Sequence, residues 1–195
     1  MDLHALLNIP EAEPILLYQG GVQTGRGLDK LIEATALFER GVVVIIGDGR
    51  IKAELQERVV NANLEEKIKF LPKVPLQDLL AYTKNAYLGF QILNNVCFNH
   101  YSASSNKLFE YVMSGVPVIG SDFPEIRKIV QGEQVGIVVD SHDPTAIAAG
   151  VNTLLADSAL HETLRENCFR VREIYNWERE KAIFLEIYKE LEDGT

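Results

Sequence analysis

Six short apolar runs recur along this chain, and a stretch with helical spacing follows each of them. Residues 15–19 and 42–46 are apolar without alternation. A strand covered on both faces needs that pattern. Residues 67–71 alternate more, and residues 86–91, 116–119 and 135–139 complete the set. Between the runs, residues 28–38, 52–61, 75–82, 106–114 and 124–130 carry apolar side chains at helical spacing. In the second of these, Leu55, Val59 and Val60 are expected to face inward. Strands alternating with helices in this way predict an α/β fold, a doubly wound parallel sheet of about six strands with right-handed crossovers. Asp143-Pro144 then reads as a cap and a first-turn proline opening a helical tail. Breaks at Asp157-Ser158 and Tyr175-Asn176 divide that tail into three C-terminal helices. Residues 1–14, with Pro10 and Pro14, read as a linker leading into a domain of residues 15–195.

Composition narrows the function classes. The 195 residues carry 19 basic and 28 acidic side chains, a net charge of −9. Nucleic-acid binders show a basic footprint, so nucleic acid is not expected as a partner. Cys97 and Cys168 stand far apart and the four histidines are scattered, so no metal site is expected. No apolar run approaches the length of a membrane span, and the first residues lack the features of a secretory signal. The expected location is cytoplasmic.

In such sheets ligands sit beyond the carboxyl ends of the strands. That rule gathers Gly20-Gly21, Gly47-Asp48-Gly49, the 71–75 turn, the 93–105 loop and Gly120 on one rim. The stretch from Ser104 to Gly120 is the most informative part of it. Ser104, Ser105 or Asn106 can cap a helix there, and Gly115 can stop it. At helical spacing Asn106, Lys107, Glu110, Tyr111 and Ser114 fall on one side, and Leu108, Phe109, Val112 and Met113 on the other. A lysine at a helix N-terminus suits a phosphate. A carboxylate one turn later can accept hydrogen bonds from two neighbouring hydroxyls. Arg26, in the glycine-rich turn after the first strand, can grip phosphate with two parallel hydrogen bonds. Neither common nucleotide fingerprint is present in that turn. Together, Arg26, Lys107 and Glu110 on one rim suit a nucleoside diphosphate group, though each alone also fits a plain turn or a surface ion pair.

The segment Lys107-Leu108-Phe109-Glu110-Tyr111, followed by Ser114-Gly115-Val116-Pro117-Val118-Ile119, resembles the donor-site segment of the retaining glycosyltransferases of group 1, which have the two-Rossmann GT-B architecture. Tyr18-Gln19-Gly20-Gly21, Gly25-Arg26-Gly27-Leu28, Ile45-Ile46-Gly47-Asp48-Gly49 and Tyr175-Asn176-Trp177-Glu178 fit the same family in the same order. The resemblance covers about residues 14 to 190. It implies a Rossmann-like domain, the C-terminal half of such an enzyme, which binds a nucleotide-diphosphate sugar. It also implies that Glu110 holds the ribose hydroxyls, while Arg26 and Lys107 face the diphosphate and stabilise the departing nucleoside diphosphate. Ser104, Ser105 and Asn106 would offer backbone N–H groups to the phosphates, beside Leu108. Gly20, Gly21, Gly47 and Asp48 would line the site, and Val74, in the turn from Phe70, would edge the base. No metal and no separate cofactor are implied. The family's acceptor-binding N-terminal domain has no room in this chain and would be a missing partner. Membrane association, if any, would come at the inner membrane surface through a parent enzyme of cell-surface polysaccharide biosynthesis. The fragment alone would bind donor without transferring sugar.

Two positions depart from the family. Ser102 stands eight residues before Glu110, where a glutamate is usual, and Gly21 stands five before Arg26, where an arginine is usual. A nucleotide-sugar epimerase-like domain and a non-catalytic nucleotide-binding scaffold are the competing readings. A receiver-like module would need carboxylates after the first strand, and Tyr18-Gln19-Gly20 has none. His100 and Tyr101 lie where they could touch a sugar or serve only the loop. Trp177 is expected in the core of the last helices, the two cysteines as free thiols, and Ile183, Phe184 and Ile187 in core or interface.

Overall fold

The computed structural model describes residues 1–103 and 105–193, without the side chains of Glu190 and Asp193. Six parallel strands form one sheet: β1 (Ile15–Gln19), β2 (Val42–Ile46), β3 (Ile68–Leu71), β4 (Leu88–Gln91), β5 (Val118–Ser121) and β6 (Gly136–Val139), in the order β3-β2-β1-β4-β5-β6. Every residue of β1 and β2 is buried, as apolar runs without alternation require. In register, Ile15 pairs with Val42 and Gln19 with Ile46, while Leu16 pairs with Leu88 across the point where the strand order reverses. Chain segments leaving β1 and β4 there diverge and leave a crevice between them.

Ten helices surround the sheet among the described residues: α1 (Leu3–Leu7), α2 (Leu28–Thr35), α3 (Lys52–Asn61), α4 (Leu76–Thr83), α5 (Phe98–Tyr101), α6 (Asn106–Met113), α7 (Pro124–Val130), α8 (Pro144–Ala156), α9 (Ser158–Val171) and α10 (Trp177–Asp193). The core has two halves. On one face Leu28, Leu31, Leu55, Ile147 and Val151 pack on Leu16, Val43, Ile45 and Phe90. On the other, Leu108, Tyr111, Val112, Ile126 and Val171 pack on Ile15, Leu17, Val44 and Val118. Asp143 caps α8 by accepting from the Thr145 N–H, with Pro144 in its first turn. The end of α6 is equally well specified. Gly115 takes φ +71°, its N–H donates to the Val112 carbonyl, and the Val116 N–H donates back to Tyr111. This double bond is the motif that a C-terminal glycine makes possible.

Several expectations are corrected. Residues 1–14 contain a helix rather than a bare linker: Asp2 caps α1 through the N–H groups of His4 and Ala5, and Leu3 and Ile9 are buried in the second half of the core. The 93–105 loop carries the short helix α5. Val60 is exposed while Leu55 and Val59 are buried. Tyr111 is fully buried and Met113 exposed, the reverse of a simple division of α6 into polar and apolar faces. Tyr111 can be buried because its hydroxyl accepts from the Gln19 N–H and lies 3.1 Å from the Leu17 carbonyl, to which it donates. Trp177 is 67% exposed and is not a core residue. Along α10, Ile183, Phe184 and Ile187 are exposed as well, as is every other described side chain of that helix. The cysteines are free thiols, Cys97 exposed and Cys168 buried. No helix among the described residues is long and apolar enough to cross a membrane.

Candidate nucleotide-binding rim

At the carboxyl end of the sheet, a cavity of about 480 Å³ is lined by Gln19, Gly20, Gly21, Arg26, Leu79, Ser105, Asn106, Lys107 and Glu110. A second, of about 290 Å³, is lined by Gly20, Gly21, Ile46, Gly47, Asp48, Lys73, Val74, Leu76 and Leu79. Gly20, Gly21 and Leu79 border both, so the two spaces adjoin across the glycine pair.

The glycines after β1 and β2 permit close backbone packing. Gly20 donates its N–H to Ile46, and Val22 donates its N–H to Asp48. A Cβ at Gly47 would run into the Gly20 carbonyl, and one at Gly49 into Val22. Asp48 is occupied in this turn. It pairs with Lys52 at 2.7 Å and accepts from the Lys73 N–H at 2.8 Å, tying the ends of β2 and β3 together. These contacts hold its carboxyl below the usual range, the Lys52 hydrogen bond first and the Lys73 N–H next. Asp48 and Val74 thus border the second cavity, with Asp48 already committed to the fold.

Lys107 is the most unusual side chain of the rim. It is only 7% exposed, and among the described residues its ammonium has no hydrogen-bond partner. The Nζ lies 3.8 Å from the centroid of the Tyr18 ring, whose π face gives partial compensation. Burial first, and the nearby Arg26 second, bring its pKa down to about 7, against the opposing pull of Glu110. Arg26 forms no ion pair among the described residues. Arg26 and Lys107 therefore face one cavity with no direct ion pair to either among the described residues, an arrangement that favours an anion there.

Glu110 is held from behind. Its Oε2 accepts from Gln19 Nε2 at 2.6 Å, and Gln19 Oε1 accepts from Thr83 Oγ1 at 2.8 Å. Both supporting residues are buried. Sequence reasoning missed them, although a glutamine closing an otherwise apolar strand was a visible signal. Gln91 ends β4 in the same way, and its Oε1 accepts from Ser105 Oγ at 2.8 Å. Ser105 thus occupies the N-cap position of α6 without a side-chain capping bond. The N–H groups of Asn106 and Lys107 have no acceptor among the described residues.

Other expected residues stand elsewhere. Leu108 is fully buried in the core and its side chain borders neither cavity, while its N–H donates to the Ser105 carbonyl. Ser104 lies outside the described residues. Ser102 is turned back on α5, donating to the Phe98 carbonyl. His100 sits beside Gly25, with Nδ1 at 3.3 Å from the Asn94 carbonyl, and Tyr101 rests against Phe123 with ring centroids 5.6 Å apart.

The fold and rim define a doubly wound α/β domain whose switch-point cavity gathers Arg26, Lys107 and Glu110. Residues 2–170 match the family of group 1 glycosyl transferases, and the chain belongs to that family. Among its relatives, D-inositol 3-phosphate glycosyltransferase of Xylanimonas cellulosilytica is 26% identical over 191 residues, which are 95% of this chain and 44% of that protein. An uncharacterized glycosyltransferase of Methanocaldococcus jannaschii is 26% identical over 187 residues, 94% of this chain and 46% of that protein. The chain thus spans about half the length of these relatives. Sucrose-phosphate synthase from Thermosynechococcus elongatus superposes with a TM-score of 0.86 at 26% identity, covering 98% of this chain and 49% of that one. Anabaena Alr3699/HepE, solved in complex with UDP and glucose, shares the fold with a TM-score of 0.84 at 16% identity, over 96% and 51% of the two chains.

Proposed function

We propose that this chain is the donor-binding half of a group 1 glycosyltransferase that transfers a sugar from a nucleotide diphosphate to an acceptor with retention of anomeric configuration. The observation that carries this reading is the buried, unpartnered Lys107 ammonium facing the same cavity as Arg26 and Glu110. A diphosphate supplies the charge that both cations lack. Glu110, four acceptor sites on one carboxylate, suits the paired hydroxyls of a ribose. Val74, Leu76 and Leu79 give the adjoining cavity apolar walls that suit a base. In this reading charge builds on the leaving diphosphate as the glycosidic bond breaks, and Lys107 and Arg26 stabilise it.

The nucleotide sugar is the substrate in this reading, and no separate cofactor is required. HepE, solved with UDP and with UDP-glucose, makes a uridine nucleotide the first ligand to try. The acceptor site lies on a second domain, in the half of the relatives that this chain does not span, and the chain alone binds donor without turnover. The domain works in the cytoplasm in this reading. Ser102, turned onto α5 at the position where the family resemblance implies a glutamate, favours a second reading in which the domain binds a nucleotide sugar as a scaffold.

Calorimetric titration with UDP, GDP, ADP and their sugars tests the first reading. One nucleoside diphosphate is expected to bind, and Glu110→Ala to weaken it by about 1–3 kcal/mol, the range of a hydrogen bond to a charged group. Absence of binding by every diphosphate, or unchanged affinity in Glu110→Ala, overturns it. Transfer assays in the parent enzyme separate the glycosyltransferase from the scaffold.

A further inference from the structure

The rim contains a buried polar relay that the donor-binding reading alone does not use. Thr83, the last residue of α4, places Oγ1 at 2.8 Å from Gln19 Oε1 and at 2.9 Å from the Leu79 carbonyl. Gln19 passes the contact on, its Nε2 donating to Glu110 Oε2 at 2.6 Å. The amide orientation is fixed by chemistry: the reversed amide would set its oxygen against a carboxylate. The Gln19 backbone is pinned as well, its N–H donating to the Tyr111 hydroxyl at 3.1 Å. Among the described residues the Glu110 carboxylate takes no other hydrogen bond and no ion pair.

A glutamate side chain has three rotatable bonds, and an unsupported one at a cavity wall samples several of their combinations. Here one carboxylate oxygen is held from inside the protein, which leaves the other directed by that bond. The holding group begins on α4, whose Leu76 and Leu79 also wall the adjoining cavity.

We propose that Gln19 and Thr83 are positioning residues that hold Glu110 in the orientation that reads a ligand's neighbouring hydroxyls, so that discrimination for ribose is set from β1 and α4. This rests on the reading of Glu110 as the ribose contact. Removing the relay frees the carboxylate to rotate and lowers the contribution of the ribose hydroxyls, while contacts to diphosphate and base persist.

The test is equilibrium binding of UDP, GDP and ADP, each beside its 2′-deoxy counterpart, to wild type, Gln19→Leu, Thr83→Val and Glu110→Gln, with thermal unfolding of each variant. Gln19→Leu is expected to weaken the ribonucleotide about tenfold, one lost hydrogen bond to a charged group. The deoxynucleotide should change less than about twofold, so the ratio collapses. Thr83→Val, which keeps side-chain shape, should move the ratio the same way by a smaller amount. It provides the answer if Gln19→Leu folds poorly. Adding Gln19→Leu to Glu110→Gln should bring no further loss of discrimination, since the two act as one unit. Equal weakening of both nucleotides, or an unchanged ratio in Gln19→Leu and Thr83→Val, overturns the relay while leaving the ribose contact standing. A wild type indifferent to the 2′-hydroxyl, or a Glu110→Gln variant that keeps the preference, overturns the ribose contact and the relay with it.

Discussion

The Lys107 ammonium lies 3.8 Å above the ring of Tyr18, with no hydrogen-bond acceptor among the described residues. A buried cation in this state is destabilising until an anion arrives. Its depressed pKa makes that cost visible as a pH dependence. An unfolded lysine titrates near 10.5, whereas Lys107 in the fold titrates near 7. Between these values the unfolded chain binds more protons than the folded one, so stability rises with pH across that window. Below about pH 7 both states are protonated and the whole penalty remains. Lys107→Met is expected to be more stable than wild type at and below neutrality and to lose this slope. Urea unfolding from about pH 6 to about pH 9 measures it.

Binding of a nucleoside diphosphate should reverse the shift, because an anion favours the charged amine. Affinity is then expected to fall as pH rises above about 7, and binding at neutral pH to take up a fraction of a proton at Lys107. Calorimetry in buffers of different ionisation enthalpy measures that uptake. Lys107→Met should abolish it along with most of the affinity.

Leu108 separates packing from binding. It is fully buried between α6 and the sheet and borders neither cavity. Leu108→Ala should cost about 2–5 kcal/mol of stability, as large-to-small core substitutions do. Nucleotide affinity of the remaining folded protein should stay within about twofold of wild type. Chemical unfolding and titration on one preparation give both numbers.

Gly115→Ala should damage the end of α6. The left-handed backbone there disfavours an L side chain, and the added methyl would meet the Phe169 ring. A loss of about 1–3 kcal/mol is expected, measured by urea unfolding.

Ending the chain after Asn176 removes α10, which buries no described side chain. The melting temperature should move by less than about 3 °C, since little packing is lost. Solubility should rise, because Trp177, Phe184, Ile187 and Tyr188 no longer face water. Scanning calorimetry and light scattering at increasing concentration provide the check.

What could be read in the sequence was whatever short-range chemistry dictates. The apolar runs at residues 15–19 and 42–46 had to be covered strands, Asp143-Pro144 had to open a helix, and Gly115 had to close one. The group 1 resemblance holds for the chain, and Arg26, Lys107 and Glu110 do meet at one cavity. Helical spacing failed at α6 because polarity was taken for exposure. Tyr111 and Lys107 are both buried, one with its hydroxyl satisfied by the backbone of β1 and the other over an aromatic face. Leu108, named for the site by its place in the motif, has its side chain in the core. Pro10 and Pro14 disguised α1, which rests on the cap at Asp2 and the buried Leu3. Trp177 shows the opposite error, a large aromatic side chain that the described residues leave uncovered.

Gln19 and Glu110 are 91 residues apart along the chain, yet the Gln19 side-chain amide donates to the Glu110 carboxylate across 2.6 Å. The cavity lined by Lys107 and Glu110 is therefore closed only when α6 packs, whereas the adjoining one is walled entirely by residues 20–79. The two adjoining spaces thus depend on different lengths of chain, and the one that gathers the cations is the more exposed to any loss of order at α6.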